Sequence, residues 1–169
     1  MEIRLEKKDW MVQLWQPLMN QISQEYSNYV AGKSECNLVL LTTDHDFFSE
    51  FGKHLLEPTF GDKMSSQMAM SGSYFKSHVK KMSEDVFFLS DMIGWITDEN
   101  ADKAHRIRSL KELIEAARTN RKFLILCGYD YMLPRFHEYL KIAYFHGGAP
   151  QIRETRLRSP QRQHVPSSV

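Results

Sequence analysis

The chain predicts a three-layer α/β domain: a parallel β-sheet covered by helices on both faces, with one further helix at the N-terminus. Three short apolar segments, within residues 37–43, 85–89 and 123–127, run without polar alternation, as strands buried on both faces of a parallel sheet do. Between them, apolar residues recur at three- and four-residue intervals, the period of an amphipathic helix. Strands that alternate with helices in this way imply right-handed crossovers and parallel neighbours.

Between residues 9 and 30, Trp10, Leu14, Leu18, Ile22 and Tyr26 form one stripe, with Trp15, Met19 and Tyr29 beside it. Pro17 predicts either a kink or the first turn of a shorter helix, and Gly32 the end. The first strand, 37–43, is followed by a short helix over 47–56, with Asp44 or Asp46 as its N-cap and Pro58 beyond its end. Residues 59–72, rich in Met, Ser and Gly, show no period, whereas 73–82 reads as helix. The second strand ends at Ser90-Asp91 and leads into a loop, "MIGWITDEN". Asp98 or Asn100 can cap the next helix, whose buried face carries Ile107, Leu110, Leu113, Ile114 and Ala117. The third strand, 123–127, is stopped by Gly128, and a last helix over 133–145 ends at Gly147-Gly148. Residues 150–169, with three prolines and four arginines and little to bury, predict a flexible basic tail on a single domain spanning 1–149.

A chain of 169 residues can bury a sufficient core without disulfides or a structural metal. Its two cysteines, Cys36 and Cys127, have no CxxC spacing and read as reduced thiols in a cytoplasmic protein. Twenty-two basic and twenty-one acidic residues give a net charge of +1, so no global field draws the chain to nucleic acid or membrane. No apolar run approaches the ~20 residues of a membrane span, and the N-terminus lacks the apolar core of a secretory signal.

Function in parallel sheets gathers at the carboxyl ends of the strands. Here those ends carry Thr43-Asp44-His45-Asp46, Ser90-Asp91 and Gly128-Tyr129-Asp130. A carboxylate just after a strand is often a helix N-cap, which is one reading of Asp44 and Asp46. The other joins Asp44 or Asp46 with Asp91 across neighbouring strands, where a hard cation such as Mg²⁺ would relieve the repulsion; Asp44, Asp46 and Asp91 are then the candidate metal ligands. No other cofactor is indicated.

The succession of strand, "TTDHDFF", helix, "DVFFLSDM", helix, "FLILCGYDY", helix and "GGA" resembles a receiver domain of two-component signalling over residues 38–149. The resemblance implies a flavodoxin-like or receiver-like fold, with Asp44 and Asp46 matching the acidic pair and Asp91 the phospho-acceptor. His45 splits the pair, Cys127-Gly128 replaces the expected hydroxyl, and no final strand ending in lysine precedes the tail. The expectation is therefore a regulatory or protein-interaction module, receiver-like but not phosphorylated, and not an enzyme. "LLTTDHDF" is also similar to nucleases of the PilT N-terminus type, which implies as the alternative a Mg²⁺-dependent nuclease or phosphotransfer domain. A protein partner is expected, with homodimerisation open and the basic tail available to nucleic acid phosphates.

"AGKS" at 31–34 lacks the upstream glycine of a P-loop and precedes a strand, so it reads as a turn; no GxGxxG, GxSxG or HExxH occurs. None of the seven histidines pairs at helical i, i+4 spacing, and His45, between two carboxylates, is the one expected to sense pH. Met64, Met68 and Met70 suit either a partner surface or core filling, and Trp95 either an exposed hot spot or a plug on the sheet. Ser159 and the final Ser-Ser-Val suggest a modification site and a carboxylate-docking motif.

Overall fold

The computed structural model describes residues 1–157, so Ser159 and the terminal Ser-Ser-Val lie outside the described residues. The long helix α1 (Lys7–Val30) leads into β1 (Leu38–Thr43), then α2 (Phe48–Phe51), one π-helical turn (Gly52–Leu56) and α3 (Glu57–Phe60). There follow β2 (Met64–Gln67), α4 (Gly72–His78), β3 (Val86–Leu89), α5 (Met92–Ile96), α6 (Lys103–Thr119), β4 (Phe123–Tyr129), α7 (Leu133–Ala143) and β5 (Ile152–Leu157).

All five strands are parallel, in the order β2-β3-β4-β1-β5. Leu38 stands opposite both Leu124 and Ile152, and Val86 opposite Phe123. The three-layer parallel architecture is the predicted one. Its strand order places β1 between β4 and β5, whereas in the 2-1-3-4-5 order of receiver and flavodoxin-type sheets the first strand touches the second and third.

Alternation along the strands divides the core in two. Val39, Leu41, Val86, Phe88, Phe123, Ile125 and Cys127 face α1 and the α2–α3 segment. Leu38, Leu40, Phe87, Leu89, Leu124 and Leu126 face α4, α5, α6 and α7. The α1 helix runs antiparallel to the strands, since Trp15 meets Phe47 just past the end of β1 (5.4 Å) and Tyr26 meets Phe123 at the start of β4 (5.5 Å). Pro17 does not break it, because Pro17 and Gln13 are exposed and water can serve the carbonyl that loses its donor.

Opposite the site-bearing edge, Lys122 ties three strands together. Its Nζ donates to the carbonyls of Met82 (3.2 Å) and Glu84 (2.7 Å) and lies 3.6 Å from Asp85 Oδ1, while its own carbonyl accepts from Asn37 Nδ2 at 2.9 Å.

Several expectations are corrected. Neither Asp44 nor Asp46 is the N-cap of α2; Phe47 holds that position, and Pro58 falls inside α3. "MIGWI" is helix α5, not loop, and Asp102, not Asp98 or Asn100, caps α6 by accepting from the N–H groups of Ala104 (3.1 Å) and His105 (3.4 Å). Gly128 continues β4 instead of stopping it. The unassigned 59–72 segment holds an edge strand, β2, and residues 152–157 of the expected tail form β5, so the domain reaches at least residue 157.

Candidate functional site

The crossover leaving β1 runs along the α2–α3 face, whereas those leaving β3 and β4 run along the opposite face. Between β1 and β4 the connections therefore leave on opposite faces, which makes this pair the topological switch point of the sheet, where ligands bind in open α/β folds. Thr43-Asp44-His45-Asp46 lies at this edge at the end of β1, Gly128-Tyr129-Asp130 at the end of β4, and Asp91 at the end of β3 one strand further along.

Local packing explains how Asp91 is held. A Cβ on Gly128 would sit 2.5 Å from Ile93 Cβ, so only glycine lets the first turn of α5 lie against β4. A Cβ on Gly94 would strike the Asp91 carboxylate, which turns back over that same turn. The Asp91 backbone is fixed at both ends: its N–H donates to the Met68 carbonyl (2.7 Å) and its carbonyl accepts from Trp95 N–H (2.9 Å).

Burial, reinforced by the charge of Asp46, raises the Asp91 carboxyl above its ordinary pKa. Burial and then Asp46, Asp91 and Tyr131 raise the Tyr129 phenol, and burial with Asp91 pushes the Cys127 thiol well up. Asp46, Asp91, Cys127 and Tyr129 thus share one electrostatic neighbourhood, in which Cys127 is too buried and too weakly acidic to serve as a nucleophile. Asp44 is more than half exposed, and its Oδ2 lies 3.7 Å from His45 Nε2, itself exposed.

The structure corrects one premise. β1 and β3 are not neighbours; β4 lies between them, which separates their backbones by about 9–10 Å, two strand spacings. Asp46 and Asp91 face each other electrostatically, but Asp44 does not complete a compact trio with them. Among the described residues no group of three histidine, cysteine, aspartate or glutamate side chains is placed to hold a metal ion.

Beside Asp91 a cleft of about 770 Å³ opens between α5 and the turn after β4. Its acidic groups are Asp91, Asp98 and Glu99. Arg135, the cation on its wall, is engaged: Nη1 donates to the Thr97 carbonyl (3.1 Å) and Nη2 pairs with Glu99 (3.0 Å). Tyr131 forms an exposed aromatic wall, 76% accessible, and stacks on Tyr129 at 5.8 Å with an interplanar angle of 8°. Asp130, between the two tyrosines, has a buried Oδ1 with no hydrogen-bond partner among the described residues.

Sequence reasoning placed Tyr129 at a strand end and offered Asp98 as a helix cap without giving either a part in the site, and it did not name Tyr131 or Glu99. The "YDY" run at the carboxyl end of the third apolar segment was the available signal, and the 3-10 turn Asp130–Met132 that follows β4 brings its two rings together. Trp95 is no exposed hot spot, being packed against the core with the Arg106 guanidinium 3.5 Å from its ring centre. Of the three methionines, Met70 is core on the α4–α7 side of the sheet, Met64 packs at the edge against the core on the α1 side, and Met68 is exposed.

The raised Asp91 pKa has a stability consequence. A carboxyl whose folded pKa exceeds its unfolded value favours the protonated form in the fold, so stability falls as pH rises from the unfolded pKa through the folded one. Because solvent screens a partly exposed group, Asp91→Asn is expected to raise Tm by only about 1–3 °C near pH 7. The gain should shrink as the pH is lowered through the raised pKa, which paired thermal melts would reveal.

Neither a family model, nor a curated protein, nor a solved structure matches this chain.

Proposed function

We propose that the chain is a regulatory or protein-interaction module whose carboxyl sheet edge receives basic side chains of a protein partner. One observation carries the reading: the cleft beside Asp91 combines two carboxylates, Asp91 and Asp98, that form no ion pair among the described residues with the exposed ring of Tyr131 stacked on Tyr129, while its own arginine is already engaged by Glu99 and the Thr97 carbonyl. Guanidinium and ammonium groups are bound by carboxylates and aromatic faces together. Two free, buried cysteines suit a reducing, cytoplasmic setting, and no helix among the described residues is long and apolar enough to cross a membrane.

A second reading keeps Asp44, Asp46 and Asp91 as ligands of Mg²⁺ in a nuclease or phosphotransfer centre. The shared field of Asp46 and Asp91 favours it, and the strand between them weighs against it.

A hexa-arginine peptide and Mg²⁺ separate the two. The peptide is expected to bind in a salt-dependent manner, with the Asp46→Asn/Asp91→Asn variant weakened about fivefold or more. About 5 mM Mg²⁺ should leave the Tm within ~1 °C. Peptide binding indifferent to the double substitution would sink the proposal. A Mg²⁺-induced rise of several degrees that Asp91→Asn abolishes would transfer the assignment to the metal reading.

A further inference from the structure

We infer that the chain self-associates by strand addition, residues 1–6 of one copy pairing with the outer edge of β5 in another. The first six residues, Met-Glu-Ile-Arg-Leu-Glu, alternate apolar and charged side chains with the period of a strand, yet form no regular structure. Met1, Ile3 and Leu5 are all exposed, at 113%, 76% and 53% of their reference areas. Three large apolar side chains on one side of an extended segment ask for a surface.

β5 offers one of matching length. It pairs with β1 on one side, and among the described residues no strand lies against its other side, leaving a row of backbone donors and acceptors open. Its six residues carry Glu154 and Arg156 on one face of the sheet, and Thr155 and Leu157 on the face covered by α1. Directly opposed residues in paired strands project to the same face. With Arg4 opposite Glu154, antiparallel pairing sets Glu2 against Arg156 and parallel pairing sets Glu6 there, so both directions match opposite charges twice. Met1, Ile3 and Leu5 then fall on the side of Thr155 and Leu157, against the flank of α1. Arg156 forms no ion pair among the described residues, while Glu154 already receives His137 Nε2 at 2.8 Å and has an oxygen to share.

The donor strand belongs to a second copy for a geometric reason. α1 runs antiparallel to β5, with Glu25 near the start of the strand (3.5 Å to Arg153) and the helix N-terminus at the strand's far end. α1 starts at Lys7 with Glu6 as its N-cap, so residues 1–6 laid along their own β5 would leave no residues for the reversal into the helix. In a second copy the same segment can lie along the edge freely, and a twofold pair exchanges two such strands.

The test uses the full chain. Sedimentation at rising concentration should show a monomer–dimer equilibrium, which deletion of residues 1–6 weakens about tenfold or more while the Tm stays unchanged within error. Arg4→Glu should weaken association about as much, and adding Glu154→Arg should restore it. Mixing the single variants Arg4→Cys and Glu154→Cys under mild oxidation should give a mixed disulfide dimer, and an Arg4→Cys/Lys80→Cys mixture should not. A wild-type chain that stays monomeric overturns the inference. So does a dimer indifferent to the deletion, which would point to direct β5-to-β5 pairing. Dimerisation and arginine-peptide binding use separate surfaces, so either can fail alone.

Discussion

Phe88→Ala is expected to cost about 3–5 kcal/mol. Phe88 is 2% exposed, on the face of β3 that meets the π-helical turn. The turn comes so close that a Cβ on Gly52 would lie 2.6 Å from the ring's Cε1. Truncation therefore opens a cavity beneath a helix that cannot settle into it without shifting both α2 and α3. The same geometry predicts a change of sign. Gly52→Ala should destabilise the wild type by about 1–3 kcal/mol through overpacking. In the Phe88→Ala background it should be neutral or stabilise by up to about 1 kcal/mol, because alanine fills part of the void and is the better helix former. Urea melts of the four proteins give the coupling, and additive losses would mean that ring and turn do not touch.

Gly128→Val is expected to cost about 2–3 kcal/mol and to disturb the site as well as the core. Its added Cβ would meet Ile93 Cβ at 2.5 Å and Cγ2 at 2.8 Å, and neither atom can swing aside, since both belong to a β-branched side chain on α5. Relief requires α5 to lift from β4, carrying Asp91 away from Asp46. Ile93→Ala in the same chain should recover about 1 kcal/mol or more relative to the sum of the single losses. Gly128→Val should also weaken binding of the arginine peptide; a variant that loses stability yet binds normally would show that the α5 position does not set the site.

How much of this could be read from residues follows the sheet itself. β1, β3 and β4 are the central strands, covered by helices on both sides, and each carries a continuous apolar run. β2 and β5 are the edges. Met-Ser-Ser-Gln and Ile-Arg-Glu-Thr-Arg-Leu lack that run because an edge strand faces solvent and carries charge that discourages unwanted pairing. Mistaking β5 for a tail removed the final strand from the count. The carboxyl-edge location of Asp44, Asp46 and Asp91 was legible, since parallel strands place their ends together. Their grouping was not, because strand order depends on which crossovers jump, and no local pattern encodes the insertion of β4 between β1 and β3. The tyrosine stack was hidden for a related reason: Tyr129 and Tyr131 acquire meaning only beside Asp91, which another strand supplies.

The field shared by the tips of β1 and β3 across β4 can be measured directly by following the side-chain carboxyl carbon of Asp91 by NMR through an acid titration. The Asp91 pKa is expected to lie above the ordinary aspartate range in the wild type and to fall part of the way back in Asp46→Asn, while burial keeps the remainder. An Asp91 that titrates as an ordinary exposed carboxylate, or one raised but indifferent to Asp46→Asn, would contradict that expectation.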